Sequence, residues 1–203
     1  RLRFAMNPLF SVVVPIYNKR PHISRALTSV LHQTLEDFEL LLIDDASTDG
    51  SAAEIERFDD SRIRRLSRPV PGPGGYAARK LGIQEAQSGR VAFLDADDEW
   101  YPGHLRELDR LHRFAPEAVL VGTGYIDSGT GGLDQVRDAY TRSSKQSDAH
   151  LLTLGDYARA LADGRGAFRT SAVSVPRALL LEVGGFPAGR CIRGGDLDTW
   201  VRL

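Results

Sequence analysis

Cysteine is almost absent: Cys191 is the only one in 203 residues. A disulfide framework and a cysteine-built metal site are both excluded within one chain. No histidine adjoins Cys191 to activate it as a nucleophile. So little cysteine fits a reducing compartment, and a cytoplasmic location is expected. Charge of one sign is lacking too. Lys+Arg number 26 and Asp+Glu 27, for a formal net charge of -1. With no basic surplus, no nucleic-acid partner is expected. Long apolar runs are missing as well: nothing approaches the roughly 20 residues of a spanning helix. The opening Arg1 to Met6 is too short for a signal peptide. Membrane association, if any, would be peripheral, at the inner face. Residues 1–9 read as an N-terminal extension that is partly non-native, with Met6 able to serve as the start. There is no internal repeat.

What is present is an ordinary globular balance, 42% hydrophobic and 26% charged, enough for the core of one domain. Strand and helix patterns alternate through the first half. Phe10 to Ile16, Glu39 to Ile43, Ile63 to Leu66, Val91 to Leu94 and Val119 to Thr123 read as buried strands. Helical spacing covers Ile23 to Leu31, Ser51 to Phe58 and Tyr76 to Gln87, and a further helix starts near Pro102 and runs to Phe114. Pro69 to Gly75 is a loop by composition. This alternation predicts an α/β chain with a mostly parallel sheet and helices on both faces. The second half is less regular. Asp127 to Ser147 is polar and glycine-rich and reads as an extended or mobile loop. Helix is expected over Leu151 to Ala162, a strand over Phe168 to Val175 leading into a helix at Pro176, and a final helix over Asp196 to Leu203.

In parallel sheets of this kind the ligand lies beyond the carboxyl ends of the strands. Two acidic clusters, Asp44-Asp45 and Asp95-Ala96-Asp97-Asp98, follow strands and should meet at that edge. Crowded carboxylates repel one another unless a cation sits among them. Oxygen ligands suit a hard ion such as Mg²⁺ or Mn²⁺, with one or two carboxylates holding it and phosphates and waters completing the shell. A plainer reading has Asp97 or Asp98 capping the helix near Pro102. Likewise Ser47, Asp49 or Ser51 could cap the helix that follows them, yet capping does not need both Asp44 and Asp45. A carboxylate there can accept a hydrogen bond from a base or a ribose hydroxyl. Val14-Pro15-Ile16-Tyr17-Asn18 ends the first strand, and Tyr17 offers a ring on which a base can stack, although tyrosines there are more often packing. Asp196, in Gly194-Gly195-Asp196-Leu197-Asp198-Thr199-Trp200, could be an N-cap or a site residue.

Taken in order, Val14-Pro15-Ile16-Tyr17-Asn18, Ile43-Asp44-Asp45-Ala46-Ser47-Thr48-Asp49-Gly50-Ser51, Ala77-Ala78-Arg79-Lys80, Phe93-Leu94-Asp95-Ala96-Asp97-Asp98, Gly184-Gly185-Phe186 and Gly195-Asp196-Leu197-Asp198-Thr199-Trp200 form a specific set. The sequence resembles glycosyltransferase family 2, from about Phe10 to the end. That resemblance implies the GT-A fold, a Rossmann-like α/β sheet. Residues 10–123 would be the nucleotide-sugar-binding half and 124–203 an irregular acceptor-side half. It implies an inverting, metal-dependent transfer of a sugar from a nucleotide-diphosphate donor, UDP favoured, to a saccharide or lipid-linked acceptor in polysaccharide or glycoconjugate synthesis. Pro15, Tyr17, Asn18, Asp45, Arg79, Asp95 and Ala96 would bind the donor. Asp97 with Asp95 would hold Mn²⁺ or Mg²⁺, and Asp196 would be the catalytic base. Two features depart from the pattern. Gly195 stands where many relatives carry Glu, and the chain stops at Leu203, so a C-terminally truncated acceptor half is expected. A sugar nucleotidyltransferase and a non-catalytic nucleotide-sugar-binding module are the competing expectations. The first normally needs a glycine-rich basic loop at the first strand, which Asn18-Lys19-Arg20-Pro21 is not.

Overall fold

The structure, a computed structural model, describes residues 7–127, 135–136, 149–163 and 168–203. Its centre is a six-stranded sheet. Four strands are parallel: β1 (Phe10–Ile16), β2 (Phe38–Asp44), β3 (Ile63–Ser67) and β4 (Arg90–Phe93). A later strand, β8 (Val173–Pro176), pairs antiparallel with β4 and with the two-residue β5 (Val121–Gly122). The spatial order is β3-β2-β1-β4-β8-β5. The mostly parallel α/β sheet expected from the alternation is therefore present.

The apolar runs of β1 and β2 follow from cover on both faces. Val12, Val14, Leu40 and Leu42 face one core, with Ile23, Ala26, Leu27 and Val30 of α1 (Arg20–Leu31), Ile55 of α2 (Ser51–Glu56) and Leu105 and Leu108 of α4 (His104–Phe114). The alternate residues Val13, Leu41 and Ile43 face the other core. There they meet Ala78 and Ile83 of α3 (Tyr76–Glu85), Tyr157 of α5 (Leu154–Ala162), Leu180 of α6 (Arg177–Glu182) and Trp200 of α7 (Gly195–Arg202). Each fully buried large aliphatic side chain contributes roughly 1.5–3 kcal/mol. Trp200 packs edge-on against Phe186 and tilted against Phe93, which docks the last helix on the sheet.

The order 3-2-1-4 reverses between β1 and β4. Such a switch point opens a crevice at the carboxyl ends of the strands. The opposite end is closed by a polar knot. Buried Glu39 accepts from Ser11 Oγ (2.5 Å), the Gln87 amide (2.6 Å) and Arg64 (2.7 Å).

Several boundaries differ from the sequence reading. α4 begins at His104, because the carbonyls of Tyr101 and Pro102 are engaged by Gln33 Nε2 (2.8 Å) and the Thr34 amide (2.8 Å). α5 starts at Leu154, set by a capping box between Thr153 and Asp156. The strand expected over Phe168 to Val175 is shortened, since Thr170–Ala172 forms a 3₁₀ turn whose side chains are used elsewhere. At the stretch read as an extended or mobile loop, Asp127 to Ser147, β6 (Ile126–Asp127) pairs antiparallel with β7 (Gln135–Val136). Residues 128–134 and 137–147 of that stretch lie outside the described residues. No helix among the described residues is long and apolar enough to cross a membrane.

Candidate active site

The crevice at the switch point is a cleft of about 290 Å³, lined by Pro15, Tyr17 and Lys19 after β1, Asp45 after β2, Asp95 to Asp97 after β4, and the loop–helix segment carrying Gly72, Gly74, Gly75 and Arg79. The two acidic clusters do meet at one edge, since Asp45 and Asp95 share its wall. Tyr17 is 46% exposed, so a ring face is free for a planar ligand.

Charges in the cleft are arranged in pairs. Asp45 is fully buried. It is held by Arg68 and, through its second oxygen, accepts from the Gly72 amide at 3.0 Å. These contacts fasten the loop after β3 to the tip of β2. Asp95 is paired with Arg79, which also donates to the Gly74 carbonyl at 2.7 Å and lies over the Phe186 ring. Asp97 Oδ2 receives Lys19 Nζ at 2.5 Å. Burial works to raise the Asp97 pKa, but the Lys19 hydrogen bond and charge outweigh it and hold the carboxyl below its ordinary value. The cation that crowded carboxylates require is thus supplied here by basic side chains.

Asp95 and Asp97 nevertheless suit a hard divalent ion. Their side chains keep 36% and 43% of their surface, and they flank the buried Ala96. Both offer oxygen only. The Lys19 ammonium shows that Asp97 accepts a positive charge at that oxygen. Among the described residues no three carboxylate, histidine or cysteine groups form a ready-made ligand cage. Two carboxylates completed by phosphate and water remain a normal arrangement for Mg²⁺ or Mn²⁺.

Asp98 plays a different part. It receives Ser171 Oγ at 2.5 Å, while the same hydroxyl accepts from the Asp95 amide at 3.0 Å. Burial raises the Asp98 pKa, and the Asp95 and Asp97 charges add to this against the Ser171 bond. The Ser171 carbonyl also accepts from Trp100 Nε1 at 2.5 Å. Neither Asp97 nor Asp98 caps α4, whose N-cap is Gly103 without a side-chain bond.

The next residue along, Thr170, lies 3.4 Å through Oγ1 from Asp196 Oδ2. Adjacent residues therefore touch the Asp95–Asp98 turn and Asp196. Asp196 is in the first turn of α7, and the N-cap there is Gly194, so Asp196 is not the cap. The Gly195 amide donates to Tyr76 Oη at 3.0 Å. A Cβ at Gly195 would fall 2.7 Å from the Tyr76 ring and 2.9 Å from Pro187, and one at Gly74 would fall 2.5 Å from the same ring. Glutamate cannot be accommodated at 195 in this packing, which gives a physical reason for the glycine.

Asn18 lies outside the cleft wall. Its Oδ1 accepts from the Thr48 amide (2.8 Å) and its own amide donates to Ser47 Oγ (3.1 Å), bracing the loops after β1 and β2. Asp49 does not cap α2, whose N-cap is Gly50. It accepts from the Ser51 and Arg20 amides instead. The sequence reading passed over Lys19, Arg68, Thr170 and Ser171. Lys19 stands beside the Tyr17-Asn18 pair and was within reach of it. A lone Ser or Thr in an apolar stretch carries no signal of this kind.

Comparison with known proteins gives a family and a fold. The family model described as Glycosyl transferase family 2 matches residues 11–174. The succinoglycan biosynthesis protein ExoW of Rhizobium meliloti is 48% identical over 101 residues, 47% of this chain and 31% of that protein. WfgD of Escherichia coli, named as a UDP-Glc:alpha-D-GlcNAc-diphosphoundecaprenol beta-1,3-glucosyltransferase, is 38% identical over 48% of this chain and 38% of its own length. The chain thus spans well under half of these two relatives. The crystal structure of S. aureus TarS 1-349 superposes with a TM-score of 0.76 at 20% identity, covering 97% of this chain and 55% of that one. Its complex with UDP-GlcNAc matches with a TM-score of 0.70 at 21% identity, over 90% of this chain and 49% of that one.

Proposed function

The chain belongs to glycosyl transferase family 2, and on that premise we propose that it carries out sugar transfer from a nucleoside-diphosphate donor, preferably uridine-based, to an acceptor hydroxyl with inversion at the anomeric carbon. The setting is polysaccharide or glycoconjugate synthesis, with a saccharide or lipid-linked acceptor, at or near the inner face of the membrane. The names of ExoW and WfgD, and the UDP-GlcNAc bound by TarS, support this setting and donor class. One observation carries the reading: Tyr17, Asp45, Arg79, Asp95 and Asp97 line one cleft at the sheet's switch point, and Ser171 and Thr170 link that edge to Asp196.

The reaction breaks the bond from C1 to the diphosphate oxygen and forms one from C1 to the acceptor oxygen. The electron pair of the broken bond leaves with the diphosphate. Tyr17 and Pro15 seat the base, Asp45 fixes the loop over the nucleoside, and Asp95 takes the ribose side. Asp97, with Asp95, would hold Mn²⁺ or Mg²⁺. When bound, such an ion neutralises charge on the leaving diphosphate as a Lewis acid. Lys19 and Arg79 add fixed positive charge beside it. Asp196 takes the acceptor proton as general base.

Asp196→Asn is expected to lower transfer by about 10²–10⁴-fold, the usual share of a general base, with nucleotide binding retained. Thermal unfolding with UDP, GDP and CDP, each with and without Mn²⁺, tests the donor half. Ligand at 100 times its Kd adds about 2.7 kcal/mol of stability. No stabilisation by any nucleotide with metal would sink the proposal, as would release of pyrophosphate in place of nucleoside diphosphate.

A further inference from the structure

The carboxylates after β4 differ in how firmly their partners are held. Asp95 is paired with Arg79, whose side chain is 8% exposed, donates to the Gly74 carbonyl at 2.7 Å and lies over the Phe186 ring. That guanidinium is locked by packing. Asp98 is taken by Ser171 Oγ. Asp97 is matched to a looser cation. The Lys19 and Asp97 side chains both line the cleft, and each keeps more than a third of its surface. Their backbones are pinned. The Lys19 amide donates to Ser51 Oγ at 3.0 Å, and Arg25 Nη2 donates to the Asp97 carbonyl at 2.7 Å. The pair can therefore open by side-chain rotation alone, and the flexible stem of a lysine has the rotamers to do so. An ion pair this exposed is weak, so opening costs little.

Lys19 Nζ sits 2.5 Å from Asp97 Oδ2. A small divalent ion binds a carboxylate oxygen at roughly 2.1 Å. Ion and ammonium therefore exclude each other at that oxygen, and on opposite oxygens of one carboxylate their charges repel. We propose that Lys19 is a positioning residue that holds Asp97 in reserve. Its ammonium occupies the carboxylate until a nucleoside diphosphate enters the cleft, then passes to the phosphates and leaves Asp97 to the divalent ion. This rests on the transferase reading, in which Asp97 is a metal ligand. Lysine binds phosphate as a point charge, so its charge stays beside the diphosphate after the exchange. The consequence is order. Metal alone meets an occupied carboxylate and binds weakly. Donor alone has to draw the lysine off. Each ligand then favours the other, because one exchange serves both. Metal and diphosphate also couple by direct contact, so the share that belongs to Lys19 is the part lost when its ammonium is removed.

The test follows Lys19 in the parent chain by NMR of carbon-13 at lysine Cε. Lys19, Lys80 and Lys145 are the chain's lysines. Lys19→Met assigns the signal, and Lys80, which does not line the cleft, is the reference. UDP with Mg²⁺ is expected to carry the Lys19 signal off its starting position and to leave Lys80 in place. Calorimetry then measures the binding of Mn²⁺ and of UDP, alone and together. In Lys19→Met, Mn²⁺ alone is expected to bind about 2- to 5-fold more tightly, the worth of a half-exposed ion pair. The factor by which UDP strengthens Mn²⁺ binding is expected to shrink. A lysine that merely adds charge nearby would change the separate affinities and leave that factor alone. A Lys19 signal that stays put while both ligands are bound, or an undiminished factor in Lys19→Met, overturns the exchange and leaves the donor reading standing. Failure of the parent chain to bind UDP with either ion sinks the donor reading itself, and the exchange with it.

Discussion

Ser171 shows how much of the site rests on one small side chain. It accepts from the Asp95 amide, donates to Asp98 and, through its carbonyl, holds Trp100. Ser171→Ala removes the two hydroxyl bonds and leaves the Asp98 carboxyl without its partner. A hydrogen bond to a charged group is worth about 1.5–3 kcal/mol, so a loss in that range is expected in urea unfolding. The turn carrying Asp95 and Asp97 would loosen with it. A second expected outcome is weaker Mn²⁺-dependent binding of UDP, measurable by calorimetry. An unchanged unfolding midpoint would mean that this triangle carries little of the fold. At this scale the acidic residues were legible in the sequence, because carboxylates after apolar strands need a reason to be there. Their partners were less so. Arg68 and Lys19 read as ordinary surface cations until the fold brings them to Asp45 and Asp97.

At the scale of elements, α3 lies directly on the sheet. The contact is made at Gly82, where an added Cβ would stand 2.5 Å from Val13 Cγ1 and 3.2 Å from Ile43 Cδ1. Two effects compete in Gly82→Ala. Helix propensity favours alanine by up to about 1 kcal/mol. Overpacking a core of β-branched side chains costs about 1–3 kcal/mol. Steric cost prevails, and a net loss of up to about 2 kcal/mol is expected in chemical denaturation. A gain in stability would show that α3 can lift away from β1 without penalty. The strands and helices of the first half were legible because their apolar periods differ, continuous in β1 and β2 but stripe-like in α1 and α4. The start of α4 was hidden by long-range bonds from Gln33 and Thr34 to the 101–102 backbone. β8 was legible as a strand, but its antiparallel sense depends on the chain's return path, which no local pattern encodes.

Across the whole molecule, the sheet is polarised. Glu39 and its hydrogen-bond donors seal the amino ends of the strands, and the paired charges of the cleft occupy the carboxyl ends. Stability should also depend on pH through His112, which is 6% exposed and bonded to Ser174 Oγ at 3.0 Å. Burial, then the Arg90 charge, pushes its pKa from 6.5 down to about 4, with Asp109 acting the other way. The folded state keeps the ring neutral while the unfolded chain protonates near 6.5. The contribution is therefore complete above 6.5, is lost as the pH falls from 6.5 to about 4, and stays flat below that. Its size is at most about 3 kcal/mol. Urea midpoints near pH 7 and about pH 4 should fall less for His112→Gln than for the parent chain. An equal fall in both would assign the acid sensitivity elsewhere.

Tyr76 has a wider consequence. Backbone from the 72–75 turn and backbone from the start of α7 both rest on one ring at a distance that admits no Cβ. The ring works as a common bearing between the two halves of the reaction. Enlarging residue 195 would tilt it into the 72–75 turn that lines the cleft, so a change at the start of α7 is expected to be felt first as altered affinity for the proposed donor.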